Sequence, residues 1–234
     1  TIHAKNPILF RKAVRAMRTV QANKMTNHIM GLDATASGLQ IMAALSGCET
    51  SSAQVNLINT GKREDVYQSI SDHMNAEFGL NTTKDLVKKP IMTTFYGSTA
   101  QPKSVFGEGE GLIAFYQTLQ SRLPGAYELM QLFQSHWQAN AEYHMWTLPD
   151  GHVAKVPVIG VEDKNIEIDE KDHMRFAYRA KVLRPQSTGL SLAANIVHSL
   201  DGWIVREMVR AAQEQGFWLA PIHDCFYSSP NPMN

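Results

Sequence analysis

Residues Met30 to Gln40 read MGLDATASGLQ, in which a short apolar run ends in one carboxylate, Asp33, and only small residues follow before the next apolar segment. The run HIMGLD predicts a strand ending at Asp33, and GLQIMAALSG predicts a helix ending near Gly47. Small side chains let a bulky ligand approach the backbone, and a carboxylate beside them is suited to Mg²⁺, which prefers oxygen ligands. The alternative is that Asp33 is only a cap or turn residue.

The composition is that of a globular protein. The chain has 234 residues, of which 44% are hydrophobic, and its 22 basic residues balance 22 acidic ones. No global field therefore attracts a polyanion, and any nucleic-acid contact must be local. Two cysteines without a CxxC pair argue against a disulfide scaffold or a cysteine zinc site and suit a reducing cytoplasm. We expect neither a membrane span nor a signal peptide.

Periodicity and breaker residues predict the remaining elements. Helices are predicted at 8–23, 64–79, 81–97 and 190–215, with a long helical stretch from 112 to about 142. A loop is predicted over 98–111. Pro149-Asp150-Gly151 predicts a turn between two strands. The acidic segment 160–172 predicts a hairpin tip or loop, with MRFAYRAKV as the return strand.

A second carboxylate, Asp224, lies in PIHDCF between two short apolar runs that predict strands. Pro221 would confine the first of these strands to a sheet edge or an unpaired position, because proline cannot donate to a ladder. A tight-turn aspartate is one interpretation of Asp224. The other is that Asp33 and Asp224 converge from opposite ends of the chain, as two-metal phosphoryl or nucleotidyl transfer requires.

The segment KDLVKKPIMTTFYG carries a stripe with fourfold spacing, formed by Lys84, Lys88, Met92 and Tyr96. On a helix these residues share one face. A solvated charged face explains the two lysines. Alternatively, the cations meet a triphosphate while the aromatic ring stacks on a base or packs on a sugar, so that one helix grips a nucleotide.

Three segments resemble, in order and spacing, motifs A, B and C of the single-subunit RNA polymerases of phages and mitochondria. They are Asp33-x-x-x-Ser37-Gly38-Leu39-Gln40, Lys84-x-x-x-Lys88-x-x-x-Met92-x-x-x-Tyr96-Gly97, and His223-Asp224. The segment ANIVHSLDG, with His198, resembles the family's palm helix before motif C. The segments around Tyr67 and from WTLPDG to FAYRAKVLRP resemble its fingers and its promoter-specificity hairpin.

The resemblance implies a role for each matching residue. Asp33 and Asp224 would hold two Mg²⁺ ions, with the Ala34 carbonyl as a lesser ligand. Lys88 would neutralise the incoming triphosphate and protonate the pyrophosphate leaving group, with Lys84 assisting. The family usually has Arg at the position of Lys84.

The resemblance also implies a choice of sugar. Tyr96, with Gly97 closing the motif, would lie at the insertion site and help to distinguish ribose from deoxyribose. His198 would lie near the growing end and its 2′-hydroxyl. Related DNA polymerases carry a bulky Glu at the position of Gly38 and prefer Phe at that of Met92, so these two residues favour RNA synthesis.

The implied fold is mixed α/β (α+β), a right-hand palm with an antiparallel sheet and largely helical fingers, lacking the thumb and the N-terminal domain. The predicted organisation begins with a first palm segment at 1–47, which contains motif A, and fingers at 48–145, which contain motif B. A specificity-hairpin-like insertion follows at 146–189, and a second palm segment at 190–234 contains motif C.

The predicted function is template-directed RNA synthesis by the catalytic part of a DNA-dependent RNA polymerase. The expected partners are a DNA template, nascent RNA, nucleoside triphosphates and a second polypeptide that supplies the N-terminal domain and thumb, as in split phage enzymes. The expected location is the cytoplasm of a phage-infected host. The alternatives are a DNA polymerase of the related family and a non-catalytic subunit that binds nucleic acid.

Overall fold

The computed structural model describes residues 4, 6–22, 24, 26, 28–158, 160–182 and 190–229. The described helices are α1 Pro7–Gln21, α2 Ser37–Ser46, α3 Glu49–Gln54, α4 Val66–Phe78, α5 Lys84–Phe95, α6 Ala100–Phe106, α7 Glu110–Arg122, α8 Pro124–Ser135 and α9 Leu190–Glu214. The described strands are β1 Met30–Asp33, β2 Tyr143–Thr147, β3 Val153–Pro157, β4 Gly160–Ile168, β5 Met174–Val182, β6 Ala220–Ile222 and β7 Cys225–Ser228. The predicted mixed α/β content is confirmed, whereas the assignment to palm and fingers stays a prediction.

The chain forms two compact units, one from residues 1–35 and 202–234 and the other from 36–201. The first unit contains an antiparallel sheet with strand order β1-β7-β6. Its edge strand β6 carries Pro221, as predicted for a proline-bearing strand. In the same unit α1 begins after Asn6, whose side chain accepts a hydrogen bond from the Leu9 N–H, and none of its residues is buried.

The second unit is mostly helical, and its core is built from the apolar faces of α2, α4, α5 and α7. Its fully buried large side chains include Met42, Ile70, Met74, Ile91, Phe95, Phe115 and Leu119. Helix α5 packs on α4, α6 and α2, and α2 also packs on α8. Since the buried face of α5 consists of Val87, Pro90, Ile91, Thr94 and Phe95, its lysine-bearing stripe is left on another face.

A buried polar network fixes the connection from α4 to α5. The Thr82 backbone N–H donates to Asn75 Oδ1 at 2.7 Å, and Asn75 Nδ2 donates to the Thr82 carbonyl at 2.9 Å. The hydroxyls of Ser71 and Thr82 lie 3.0 Å apart. Because these buried polar groups are paired with one another, the loop is held in one conformation just before α5 begins. Thr83 then caps α5 by accepting from the Leu86 N–H.

Two of the predicted boundaries were wrong between residues 98 and 142. The predicted loop over 98–111 contains α6, because Pro102 lies in the first helical turn, where proline is tolerated, and Gly107 ends the helix with a positive φ of 74°. The predicted long helix from 112 is two helices. Pro124 begins α8 at its first position, and a proline disfavours helical backbone in the residue before it, Leu123.

The acidic segment was also assigned wrongly, since residues 160–168 form strand β4 rather than a hairpin tip. Strand β4 pairs with β5 in the register Gly160↔Val182 to Ile168↔Met174. Two directly paired positions carry ion pairs, Arg179 to Asp163 and Arg175 to Glu167, each at 3.1 Å. Cross-strand charge pairs of this kind stabilise a ribbon whose side chains are mostly exposed and therefore gain little from burial. The end of the predicted insertion, 183–189, lies outside the described residues.

The other predicted elements are confirmed within a few residues. They include the turn at 149–151 between β2 and β3, the strand ending at Asp33, and the helix ending at Gly47, which has a positive φ of 61°. Within the described ranges, none of the helices combines the length and the apolar character that crossing a bilayer requires.

Candidate active site

Asp33 and Asp224 lie beside each other at the end of the three-stranded sheet. Asp33 is the last residue of β1 and pairs with Cys225, the first residue of β7. The Ala34 N–H donates to the Asp224 carbonyl at 3.3 Å, which extends the pairing by one residue. Asp33 is exposed and Asp224 is half-buried. The sheet therefore brings the backbones of two aspartates from distant parts of the sequence together at one end of the β1–β7 pair.

The turn that carries Asp224 has only two residues, His223 and Asp224, between β6 and β7. His223 has a positive φ of 55°, which is uncommon for a residue other than glycine and is tolerated better by His, Asn and Asp than by most others. A two-residue hairpin requires a residue with a positive φ, because only turns with that backbone conformation match the twist of the two strands. The tight turn leaves Asp224 little freedom relative to Asp33.

The second unit groups three other predicted site residues, Gly38, Tyr96 and His198. The rings of Tyr96 and His198 stack with centroids 4.9 Å apart and an interplanar angle of 24°. A Cβ added at Gly38 would lie 2.6 Å from the Tyr96 hydroxyl oxygen, so any side chain at this position would force the Tyr96 ring to move. Gly38 therefore allows the close approach of Tyr96 to the first turn of α2. Gly97, with φ 94°, ends α5 directly after Tyr96.

Lys88 and Met92 lie on the exposed stripe of α5. The Lys88 Nζ is 5.6 Å from the centroid of the Tyr67 ring, within the range of a cation–π contact. Met92 is 40% exposed and contributes little to the core. This stretch of the stripe can therefore meet a ligand without rearrangement of the helix.

Lys84, at the start of the stripe, is engaged by Asp65, a residue that no sequence pattern had indicated. Asp65 caps α4 and forms an ion pair with the Lys84 ammonium. Burial is the largest single influence on the pKa of Asp65 and raises it, but the hydrogen bonds from Lys84 and from the Gln68 N–H together lower the pKa below its ordinary value. Lys84 must leave this partner, or share it, to contact a phosphate.

The donor set at the sheet edge fits Mg²⁺. Two carboxylates are hard oxygen donors, and Mg²⁺ is commonly held by one or two carboxylates while substrate phosphates and water complete its shell. The described residues include a further group of potential ligands, Glu167, Asp169 and His173, whose ligand atoms lie within 4.8 Å of one another on the β4–β5 ribbon. These side chains are exposed, and His173 Nδ1 lies 3.0 Å from Glu167 Oε1 and 3.4 Å from Asp169 Oδ1, so this group is an ordinary polar cluster on the surface.

Two further residues beside Asp33 were missed from the sequence, Gly31 and Tyr227. They are paired across β1 and β7, two positions before Asp33 and two after Cys225. A glycine inside a strand is a signal for close approach of another group, and that signal was available. Its partner, however, was set by the register of two strands almost two hundred positions apart.

The geometry defines a candidate two-carboxylate metal centre in one unit and a lysine-bearing helix in the other. Residues 11–105 match the model of the DNA-dependent RNA polymerase family, of the single-subunit phage and mitochondrial type. The matched range contains Asp33, Gly38 and all of α5, and it ends before His198 and Asp224. No curated protein matches the chain. The match confirms the resemblance over these residues and supports a DNA-dependent RNA polymerase function in general terms.

Proposed function

We propose that this chain is the catalytic palm and fingers region of a DNA-dependent RNA polymerase that adds ribonucleotides to a growing RNA on a DNA template. The observation that carries the proposal is the meeting of Asp33 and Asp224 at adjoining strand ends. The family match over residues 11–105 supports it independently. The 3′-oxygen of the RNA forms a bond to the α-phosphorus, the bond from that phosphorus to the bridging oxygen breaks, and pyrophosphate leaves.

Asp33 and Asp224 would hold two Mg²⁺ ions, with the Ala34 carbonyl as a lesser ligand. When bound, these ions activate the attacking oxygen and neutralise charge on the leaving oxygen. The protein's own contribution is to fix both carboxylates on a short, tightly turned sheet edge. Rigid placement of charged groups is what an in-line displacement requires, because orientation supplies much of the rate.

Lys88 would neutralise the triphosphate and donate a proton to the departing pyrophosphate. Its exposure on α5 and its contact with Tyr67 leave the ammonium available to an incoming anion. Lys84 would assist after exchanging Asp65 for phosphate oxygens. As an ammonium, Lys84 acts as a point charge and cannot form the bidentate contact of a guanidinium.

The cluster of Gly38, Tyr96 and His198 would select the sugar. The rings of Tyr96 and His198 stack, and the missing side chain of Gly38 leaves room for the Tyr96 hydroxyl, which would face the 2′-hydroxyl of the sugar. Met92 and Gly97 complete the substrate-binding stripe, Met92 by its exposed side chain and Gly97 by the turn it allows after Tyr96. We assign ribonucleoside triphosphates as the substrates on this basis.

Replacing Gly38 by Glu should reverse the choice of sugar. The new side chain displaces the Tyr96 hydroxyl and would crowd a 2′-hydroxyl, so ribonucleotide incorporation should fall relative to deoxyribonucleotide incorporation by about 10–100-fold. Single-nucleotide addition to an RNA primer on a DNA template measures the ratio. Ser37→Glu, which adds the same charge one residue earlier, is the control. A wild-type enzyme that prefers deoxyribonucleotides would instead identify a DNA polymerase.

We propose that a second polypeptide supplies an N-terminal domain and a thumb, in the cytoplasm of an infected host. Helix α1 supports this proposal, because Ile8 is 73% and Met17 64% exposed on it and the helix carries four basic residues and no acidic one. The chain alone should therefore extend an RNA primer only by short, distributive synthesis. Product lengths on a long template measure this, and long processive products from the chain alone would contradict it.

A further inference from the structure

Helix α1 has one face on which every charge is positive. Arg11, Arg15 and Arg18 follow one another at spacings of four and three residues, which places them on one side of a helix, and Lys12 lies next to Arg11. All four residues are exposed. The helix contains no acidic residue, although the whole chain balances 22 basic residues with 22 acidic ones. The positive charge is therefore a local property of this basic face.

The four cations of the basic face are not neutralised by the protein itself. None of them forms an ion pair with another residue in the part of the chain that the structure describes. All four line one open surface groove of about 1090 Å³, and none of its described lining residues is acidic. A groove with several like charges and no counter-charge attracts a ligand that carries several negative charges.

The opposite side of α1 is apolar. Leu9, Ala13, Ala16 and Val20 follow one another at spacings of four, three and four residues, and they lie about half a turn away from the arginines. Leu9 and Val20 are both exposed. This apolar side is available to the proposed second polypeptide. A helix covered by protein on its apolar side still presents its basic face to a ligand.

The length of the basic face matches a run of phosphates. Arg11 and Arg18 are separated by about 10.5 Å along the helix axis, at a rise of about 1.5 Å per residue. Successive phosphates of one strand advance by about 3.4 Å along the axis of a DNA duplex, so the basic face spans about three of them. A duplex therefore has both the charge and the repeat that this face can contact.

We propose that the basic face of α1 binds the phosphate backbone of double-stranded DNA without reading its sequence. This inference rests on the proposed function, because that function gives the chain a DNA template, and it adds a binding site outside the motifs and the metal centre. DNA is favoured over an anionic lipid surface, since α1 belongs to the same compact unit as Asp33 and Asp224, where the proposed function requires template and primer.

Binding of double-stranded DNA tests the inference without any assay of activity. A short fluorescein-labelled duplex is titrated with the full chain at several potassium chloride concentrations, and its anisotropy gives the dissociation constant. The triple variant Arg11→Gln, Arg15→Gln, Arg18→Gln removes three charges but preserves the helix, because glutamine has a helix propensity close to that of arginine. Its affinity at low salt should fall by about 10-fold or more, and the slope of log K against log salt should become shallower by about three.

Two results of this titration would overturn the inference. One is a wild-type chain that does not bind the duplex, and the other is a glutamine variant with the affinity and salt slope of the wild type. If the triple variant fails to fold, as judged by circular dichroism, Arg15→Gln alone should still make the slope shallower by about one. An unchanged slope in that single variant would then decide against the proposed site.

Two further triple variants separate phosphate contacts from a general effect of charge. Replacing the same three arginines by lysine keeps the charges, so the salt slope should stay near that of the wild type. A slope as shallow as that of the glutamine variant would overturn the inference. Arg63→Gln, Lys103→Gln and Arg210→Gln together remove the same number of exposed charges elsewhere. This control should bind the duplex like the wild type, and an equal loss of binding would also overturn the inference.

Vesicles of phosphatidylserine and phosphatidylcholine test the lipid alternative. The wild-type chain should remain in the supernatant when such vesicles are sedimented. Co-sedimentation that the glutamine variant loses, from a chain that does not bind the duplex, would identify a lipid surface and overturn the inference.

The DNA titration also separates this inference from the proposed function. A wild-type chain that binds the duplex through α1 but adds no nucleotide would refute the proposed function and leave the binding site in place. A chain that adds nucleotides, and whose glutamine variant binds the duplex as tightly as the wild type, would do the reverse.

Discussion

Asp33→Asn and Asp224→Asn should each abolish nucleotide addition. Each substitution replaces a charged ligand by a neutral amide of the same shape, so several kcal/mol of charge stabilisation in the transition state are lost, or about three orders of magnitude in rate. Single-nucleotide extension of an RNA primer on a DNA template measures the loss, in whichever preparation of the wild-type chain is active, alone or with its partner.

The two aspartate variants should remain folded, and Glu207→Gln is their control. Asparagine is accepted in strand ends and tight turns, so the thermal unfolding curves should remain near that of the wild type. Glu207→Gln removes an exposed carboxylate that pairs with Arg210 on α9, and an exposed pair contributes little to stability. It should leave nucleotide addition unchanged. Full activity in either aspartate variant, with folding intact, would remove the metal assignment and leave Asp33 as an ordinary strand-end residue.

The sequence predicted those regions of the fold that local signals determine. The strand before Asp33 and the helix after it follow from an apolar run, a stretch of small residues and Gly47. Helix α5 follows from the cap at Thr83 and the glycine at 97. In each case residues adjacent in sequence supply both the start and the stop of the element, which is why the boundaries fall within a few residues of the prediction.

Errors arose where the same type of residue occurs in two kinds of structure, as proline does in loops and in first helical turns. The predicted loop over 98–111 and the predicted single helix from 112 did not take account of Pro102 and Pro124, which both lie in first helical turns, where proline is favoured or tolerated. The acidic character of 160–168 concealed a strand, because its charges are satisfied by arginines on β5. Local sequence does not contain that information, since the partner strand determines whether a charge is paired.

The candidate site also has one part that the sequence motifs predicted and another part that depends on tertiary contacts. The nearness of Asp33 and Asp224 was expected from the order of the motifs, since no periodicity links residues so far apart, and the register of β1 and β7 shows it directly. The ion pair of Lys84 with Asp65 and the packing of Tyr227 on Gly31 depend on tertiary contacts alone. The first of these contacts occupies Lys84, a predicted phosphate ligand, and the second explains why residue 31, two positions before Asp33, is a glycine.

Lys88→Ala should have the second largest effect. It removes both the positive charge that meets the triphosphate and the proton that the leaving group takes, so kcat should fall by about 10²-fold or more, the usual contribution of a general acid. The apparent KM for the nucleotide should rise as well, because the charge also contributes to ground-state binding. Pre-steady-state single-nucleotide addition separates the two parameters.

Lys88→Arg divides the two roles of this lysine. An arginine keeps the charge but does not give up its proton in proteins, so nucleotide binding should recover while kcat stays low. Lys89→Ala is the matched control, since Lys89 is exposed, adjacent in sequence and off the stripe, and its loss should change kcat by no more than about twofold. Equal losses at positions 88 and 89 would indicate a general basic surface rather than a phosphate-facing stripe. Full kcat in Lys88→Arg would reduce the role of Lys88 to its charge, because a donated proton cannot come from a guanidinium.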